Sequence, residues 1–522
     1  MSGTFYVTTP IYYVNAKPHI GHAYTQVVAD TLARFHRILG EDVFFLTGTD
    51  EYGEKIEEVS LAKYGEKGHE KEFVDSIVVK FREAWGSLNV SNDYFIRTTD
   101  PGHGKLVQDM LQGLWDKGEI EEGEYDGWFC TPCETFWTDT QAENGVCPEC
   151  NRPLGRIKEK NYFFKMGKYR EWLLEYINEH PTFIMPEFRR NEVLGFLREE
   201  LTDLCISRPK ERMSWGIELP FDKGYVVYVW FDALLNYVSG IGASGRERER
   251  FWPANFHLIA KDIIRHHAVY WPIMLKAMGL ELPKTVFAHG WWKMGADKMS
   301  KSKGNVVDPL AFIEKYGVDP LRYFLIKAVK LGMDGSFSED AFIATYNSDL
   351  ANDLGNLLNR TLTMVEKYFD GVVPAAPRDP GDPAQLARSN ELRSGIKGIL
   401  PLVKGKMLSR DLLLQEALET VMQTVVGRAN KYIEASAPWN YSKQGNMEAI
   451  KLIMADLVEA LRVTAIAIAP FMPATADKMW RQLGAGDDIK ADISPSVYDK
   501  WEPDKLAGVK VAKGEPLFMR IK

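Results

Sequence analysis

The strongest constraint on the fold lies in the opening residues. Thr4–Thr9 is a β-rich run closed by Pro10, and Val43–Thr47 is a second one. Between them, His22–Leu39 places Ala23, Val27, Ala29, Leu32 and Phe35 at helical spacing. Strand, loop, helix, strand is the opening βαβ unit of a doubly wound (Rossmann-type) parallel sheet, an α/β fold. A second group of α/β signals follows, with Tyr225–Phe231, Phe256–Ile259 and Thr285–His289 as strands and Ile263–Met278 as a helix. The span between the two groups contains all five cysteines, so we expect a sheet whose halves are separated by an insertion. From about Ala341 the pattern is helical, with Asn347–Phe369, Pro383–Lys404, Asp411–Ala435 and Met447–Ile468 as the long candidates. Asp370–Pro383, with its four prolines, is the linker that composition alone would choose.

A chain of 522 residues allows several domains, and 45% apolar with 26% charged residues is the composition of a soluble globular protein. The N-terminus lacks the basic start and apolar run of a signal peptide, so we expect a cytoplasmic protein. Val463–Met472, the most apolar late stretch, is too short to span a bilayer, and no membrane role is expected. Without export, the N-x-Ser/Thr triplets at Asn89, Asn359 and Asn440 are chance matches. The net charge of −8 means that any nucleic-acid site must be a local basic surface on an acidic body. Arg393, Lys397, Lys404, Lys406 and Arg410, set against Glu391 and Asp411, read as a solvated helix face.

Three constellations carry chemistry. Pro18-His19-Ile20-Gly21-His22 stands where the first strand hands over to its helix. Proline suits the first helical position, the helix N-terminus attracts anions, and Gly21 allows a nucleotide near the backbone. Lys298-Met-Ser300-Lys301-Ser-Lys-Gly-Asn305 follows the last strand of the second half. Lysines among small hydroxylic residues suit a loop closing on polyphosphate, with lysine as a point charge. Cys130-x2-Cys133 and, thirteen residues on, Cys147-x2-Cys150 have the spacing of a tetrahedral Zn²⁺ site. Four thiolates close the coordination, so one structural zinc per chain is expected; disulfides are disfavoured without secretion. Cys205, alone in an apolar setting, reads as core.

The first two constellations, in this order and on the two halves of an α/β pattern, resemble the paired HIGH and KMSKS signatures of class I aminoacyl-tRNA synthetases. Thr9-Pro-Ile-Tyr-Tyr-Val-Asn15, Gly48-Thr-Asp-Glu-Tyr-Gly53, Val229-Trp-Phe-Asp-Ala-Leu-Leu-Asn-Tyr237 and Ala288-His-Gly290 are similar to the methionyl-tRNA synthetase family, over about residues 4–480. The resemblance implies attack by an amino-acid carboxylate on the α-phosphorus of ATP, with Mg²⁺ accompanying the nucleotide. His19, His22, Lys298 and Lys301 would stabilise charge on the phosphates, a reaction that rests on positioning and electrostatics. Gly21, Asp262 and Ser300 would join them around ATP. Ile11, Tyr13, Trp230, Ala233, Leu234, Tyr237 and His289 would form the methionine pocket, and Asp50 would hold the α-amino group. A thioether does need a polarizable apolar pocket, and an ammonium needs a carboxylate.

In that family, positions matching Asn356, Arg360, Pro438 and Trp439 read the CAU anticodon of initiator and elongator tRNA, by stacking and hydrogen bonding as single-stranded loops usually require. The resemblance moves the last boundary to about residue 345. The expected units are 1–117 (first half of the sheet), 118–224 (connective insertion with the zinc knuckle), 225–345 (second half with the KMSKS region) and 346–522 (helical anticodon-binding bundle). A monomer is expected. Tyr52 replaces the usual His, and Ala260 the usual Gly, from which altered kinetics and retained activity are expected. Synthetases for valine, leucine or isoleucine carry a large hydrolytic insertion that this chain lacks, and one for cysteine would bind zinc at the substrate. A non-catalytic RNA-binding paralogue conflicts with two intact signatures.

Overall fold

The computed structural model describes all residues except 1–2, 132–134, 138, 140–141, 143–144, 149–150, 243–245, 295–296, 299–306 and 494–500. The chain opens with β1 (Thr4–Thr8), β2 (Tyr12–Tyr13), helix α1 (Ile20–Ile38), β3 (Asp42–Asp50) and β4 (Tyr94–Arg97). The insertion that follows is built on β5 (Ile120–Cys130), β6 (Thr135–Trp137) and β7 (Gly155–Phe164). Next come β8 (Ile184–Met185), β9 (Leu204–Cys205), and the antiparallel pair β10 (Ser207–Pro209) and β11 (Tyr225–Val227). β12 (Phe256–Ala260) and β13 (Val286–His289) complete the second half.

β1, β3, β12 and β13 are almost continuously buried, as strands of a sheet covered on both faces must be. The seven-stranded sheet runs β2–β3–β1–β12–β13–β8, with β4 also on β3, and every pairing is parallel. Gly48 is required where β4 passes, because a Cβ there would stand 2.1 Å from the Ile96 carbonyl oxygen. The chain leaves β1 for β3 on one side and returns through β12 on the other. This reversal opens a crevice beyond the strand C-termini, where α/β sheets bind ligands.

Two differences from the periodicity have physical causes. Tyr225–Phe231 reads as one strand, but β11 ends at Val227 and Val229–Leu234 is helical, with the Tyr228 carbonyl accepting from the Phe231 and Asp232 amides. The β-branched and aromatic residues there suit either state, and tertiary contacts decide. Likewise β8, inside the expected insertion, returns to pair Ile184 and Met185 with Val286 and Phe287 of β13. Two residues are too short to show as a strand in sequence.

Past the three-stranded sheet of β14 (Trp292–Met294), β15 (Asp297–Lys298) and β16 (Gly335–Ser336), the described chain is mainly helical. Met447–Ile468 spans the residues that its pattern indicates and is buried on all sides from Leu452 onward, so it is the axis of the helical region. Asp370–Pro383 belongs to this region, for the Val373 amide donates to the Val509 carbonyl and the Gly508 amide to that of Val373. The core is continuous between sheet and helices. At the junction Arg322, fully buried, donates to the Leu88, Pro470 and Phe471 carbonyls and pairs with Asp30 of α1 at 2.6 Å. No helix among the described residues is long and apolar enough to cross a membrane.

Candidate active site

The crevice at the β1/β12 reversal is a cavity of about 700 Å³. Its lining includes Ile11, Tyr13, His19, Gly21, His22, Asp50, Trp230, Ala233, Leu234, Tyr237, Ala260, Asp262 and His289. Residues expected to serve one site from five separate stretches of sequence therefore share one enclosure. Lys298 stands on β15, with its side chain outside the described residues, as are Ser300 and Lys301 altogether.

At the mouth of α1, His19 is the N-cap and its Nδ1 accepts from the Gly21 amide at 3.1 Å. The His22 Nδ1 in turn accepts from the His19 amide at 3.3 Å, and the two rings stack 3.7 Å apart. Occupying Nδ1 as an acceptor puts the proton of each neutral ring on Nε2, the tautomer able to donate to a phosphate oxygen. Gly21 gives this arrangement room, since a Cβ there would lie 3.0 Å from His19 Cε1. The helix end adds its own positive potential.

The opposite wall is aromatic. Tyr237 stacks on His257 at 4.1 Å, and its hydroxyl lies 2.7 Å from His267 Nε2. The His267 Nδ1–H donates to the Ile263 carbonyl at 2.9 Å, so Nε2 accepts and the Tyr237 hydroxyl donates. Burial lowers the His267 pKa to about 4, keeping the ring neutral as this geometry requires. His289 is tied in the same way: Nδ1–H donates to the Gly290 carbonyl at 2.8 Å, and Nε2 accepts from the Thr25 hydroxyl at 2.7 Å. Burial holds its pKa down too. Asp262 accepts from Trp291 Nε1 at 3.1 Å at the exposed rim. Tyr52 lies outside the cavity lining, half-buried against Trp215, and burial raises its pKa.

Sequence reasoning missed His266 and His267, which line the cavity from a π-helical turn. His266 stacks on Trp230 at 3.7 Å. The usable signal was a histidine pair just past the end of a parallel strand.

Cys130 and Cys147 are fully buried and share a small cluster with Trp137 and Ala142. Cys133 and Cys150 lie outside the described residues, and among the described ones no group of three or more His, Cys, Asp or Glu could hold a metal ion. Pro148, between the second cysteine pair, touches the cavity.

A second cleft lies on the helical region, where Asn356 and Arg360 meet Asn352, Asp353, Asn430, Lys431, Glu434 and Ala435. Arg360 pairs with Glu434 at 2.7 Å. Pro438 opens a short helix after Ala437, which takes a left-handed conformation, and Trp439 keeps 38% of its surface exposed. It is displayed, not core.

Comparison with known proteins agrees with this layout. Residues 5–156 and 152–362 match the model of the class I tRNA synthetases (M), and residues 408–515 match an anticodon-binding domain of tRNA ligases. The methionine–tRNA ligase of Clostridium tetani is 46% identical over 99% of this chain and 78% of its own length. That of Bacillus subtilis is 43% identical over 100% and 78%. The Mycobacterium tuberculosis methionyl-tRNA synthetase in complex with methionyl-adenylate superposes with a TM-score of 0.91 at 37% identity, covering 99% of this chain and 100% of that one. Its apo form gives 0.84 at 34%, covering 100% and 99%. The fold, the convergence of both signature-bearing halves on one crevice and these matches place the chain in the methionine–tRNA ligase family of class I tRNA synthetases.

Proposed function

We propose that this chain charges tRNA with methionine in two steps. The methionine carboxylate attacks the α-phosphorus of ATP, the bond to the β-phosphate breaks, and pyrophosphate leaves; a ribose hydroxyl of the 3′-terminal adenosine of tRNA then attacks the methionyl carbonyl, the bond to phosphate breaks, and AMP leaves. The observation that carries this reading is the single cavity in which a histidine-capped helix end faces an aromatic wall. Methionine would lie among Ile11, Tyr13, Trp230, Ala233, Leu234 and Tyr237, its ammonium at Asp50. Phosphate oxygens would meet the Nε2–H groups of His19 and His22, with Lys298 and Lys301 supplying charge and Ser300 a hydroxyl. Asp262 would face the nucleoside, and Mg²⁺ would neutralise part of the polyphosphate. No protein nucleophile is needed.

Asn356, Arg360, Pro438 and Trp439 would receive a CAU anticodon, and the exposure of Trp439 supports stacking. The divisions 1–117, 118–224, 225–345 and 346–522 serve this reading as working units. The tRNA substrate is that of a cytoplasmic enzyme, and we read the protein as a monomer. ATP–pyrophosphate exchange measured across the twenty amino acids tests the assignment. Methionine should give the highest kcat/KM, and a better substrate would overturn it.

Cys130, Cys133, Cys147 and Cys150 fit a structural Zn²⁺, because the two described thiols are buried together at the end of β5 and in the turn where the Asn151 amide returns to the Cys147 carbonyl. The metal would fold the insertion tip beside the cavity. One Zn²⁺ per chain is expected by metal analysis, falling in Cys147→Ser; a fully active protein without zinc would refute the site.

A further inference from the structure

The aromatic wall of the cavity stands on two short helices, Val229–Leu234 and Asn236–Gly242, which carry Trp230, Ala233, Leu234, Asn236 and Tyr237. Helices of six and seven residues have little stability of their own and take their position from tertiary contacts. One such contact reaches both. His103, fully buried on the helix Pro101–Asp116, places Nε2 2.5 Å from Asp232 Oδ1 on the first helix and Nδ1 2.7 Å from Ser239 Oγ on the second. Neither Asp232 nor Ser239 lines the cavity; they face the body of the protein. The supporting helix is longer, at 16 residues, and is anchored by Val107, Leu111 and Leu114.

Serine, histidine and aspartate have the composition of a hydrolytic triad, but the ring is reversed, with Nδ1 at the serine and Nε2 at the carboxylate. That use is ruled out by burial, since Ser239 is 2% exposed and borders no described cavity. What remains is a mechanical role. Nε2–H donates to the Asp232 carboxylate, and Nδ1 meets the Ser239 hydroxyl, which also approaches the Asn236 carbonyl at 3.4 Å. A ring with hydrogen-bonding nitrogens on two edges suits a tie between side chains of two helices. We propose that His103 is a positioning residue for the amino-acid pocket, fixing through Asp232 and Ser239 the two helices that present Trp230 and Tyr237. This inference rests on reading the cavity wall as the methionine site.

The test uses the full-length protein in ATP–pyrophosphate exchange, with KM measured separately for methionine and ATP. His103→Phe keeps a ring and removes both bonds. It should raise the methionine KM about tenfold, a cost in the usual range for a broken buried hydrogen bond, while the ATP KM moves less than about twofold. His103→Gln, which keeps a donor and an acceptor, should recover part of the loss. Should His103→Phe fail to fold, Ser239→Ala removes one tie only and should raise the methionine KM about threefold. The inference is overturned by an unchanged methionine KM in a folded variant, or by methionine and ATP constants rising together with a lowered Tm. Failure of the wild type to use methionine would sink the site reading itself; failure confined to the variants sinks only the clamp.

Discussion

The two clefts of this molecule are built in opposite ways. The cavity at the sheet crevice gathers its lining from stretches as far apart as Ile11 and His289, and much of its aromatic wall is buried. The helical cleft takes its lining from two stretches, 352–360 and 430–435, and leaves Asn352, Asp353, Asn356, Lys431 and Glu434 exposed. A recessed pocket with a largely buried aromatic wall suits a small molecule whose reacting atoms must be fixed. An open polar face suits a nucleic-acid loop that brings its own bulk, and the exposed Trp439 of the same helical region offers an indole for stacking. The chemistry of one should therefore be separable from the recognition of the other by single substitutions.

His22→Ala probes the enclosed side and should give the largest effect. If its Nε2–H stabilises charge developing on phosphate, methionyl-adenylate formation should slow by about 10²–10³-fold, as for the loss of one such donor elsewhere. Binding of tRNA should stay as in the wild type. Stopped-flow adenylate formation beside filter binding would reveal a parallel loss, which would merge the two sites.

Acid should act through the sheet side, because all ten histidines lie at or before His289 and the helical region has none. Burial holds His257, His266, His267 and His289 below the usual histidine range, the third at about 4. A depressed folded pKa means that the unfolded chain takes up the proton first. The stability from neutral burial is thus complete above about pH 6.5 and is lost as pH falls towards 4, roughly 3 kcal/mol from His267 alone. Denaturant titrations from pH 8 to pH 5 should show falling stability below 6.5, and His267→Gln should flatten the slope. A flat wild-type profile would contradict the buried neutral rings.

Trp439→Ala tests the open side. Loss of one stacked base should weaken tRNA binding by about 1–3 kcal/mol, roughly 5–150-fold, and lower charging accordingly. Exchange without tRNA should be unaffected. Undiminished charging at limiting tRNA would remove Trp439 from the anticodon site. Glu434→Gln should have the smallest effect: breaking an exposed pair with Arg360 should change stability by less than about 1 kcal/mol, yet release the guanidinium and tighten tRNA binding slightly. A fall in affinity would show that Glu434 orients Arg360 instead of competing for it.

How much of this was legible in the sequence follows the same division between local and distant causes. Thr4–Asp50 and Met447–Ile468 could be read because strand, cap and helix signals there are contiguous and agree with one another. The candidate site residues were legible as two signature strings and a family likeness, and twelve of them prove to line one cavity. The orientation of their rings was not, since His19 and His289 are set by partners such as Gly21 and Thr25 that no spacing rule selects. Nor could periodicity show that Val229–Leu234 turns helical, that Ile184–Met185 joins the sheet, or that the proline-rich linker docks on Val509. Each depends on what lies across the fold.

Arg322 carries a consequence for how this protein can be taken apart. Its guanidinium has no route to solvent, and three of its four partners are divided between Asp30 of the signature helix and the Pro470–Phe471 turn of the helical region. Removing the helical region would strip two carbonyl partners from Arg322, leaving it Asp30 and the Leu88 carbonyl, and would open the core around it to water. The helical region is therefore no detachable cartridge. Recombination that swapped it between relatives would have to carry over the turn that receives Arg322, and heating should melt both halves in one calorimetric transition.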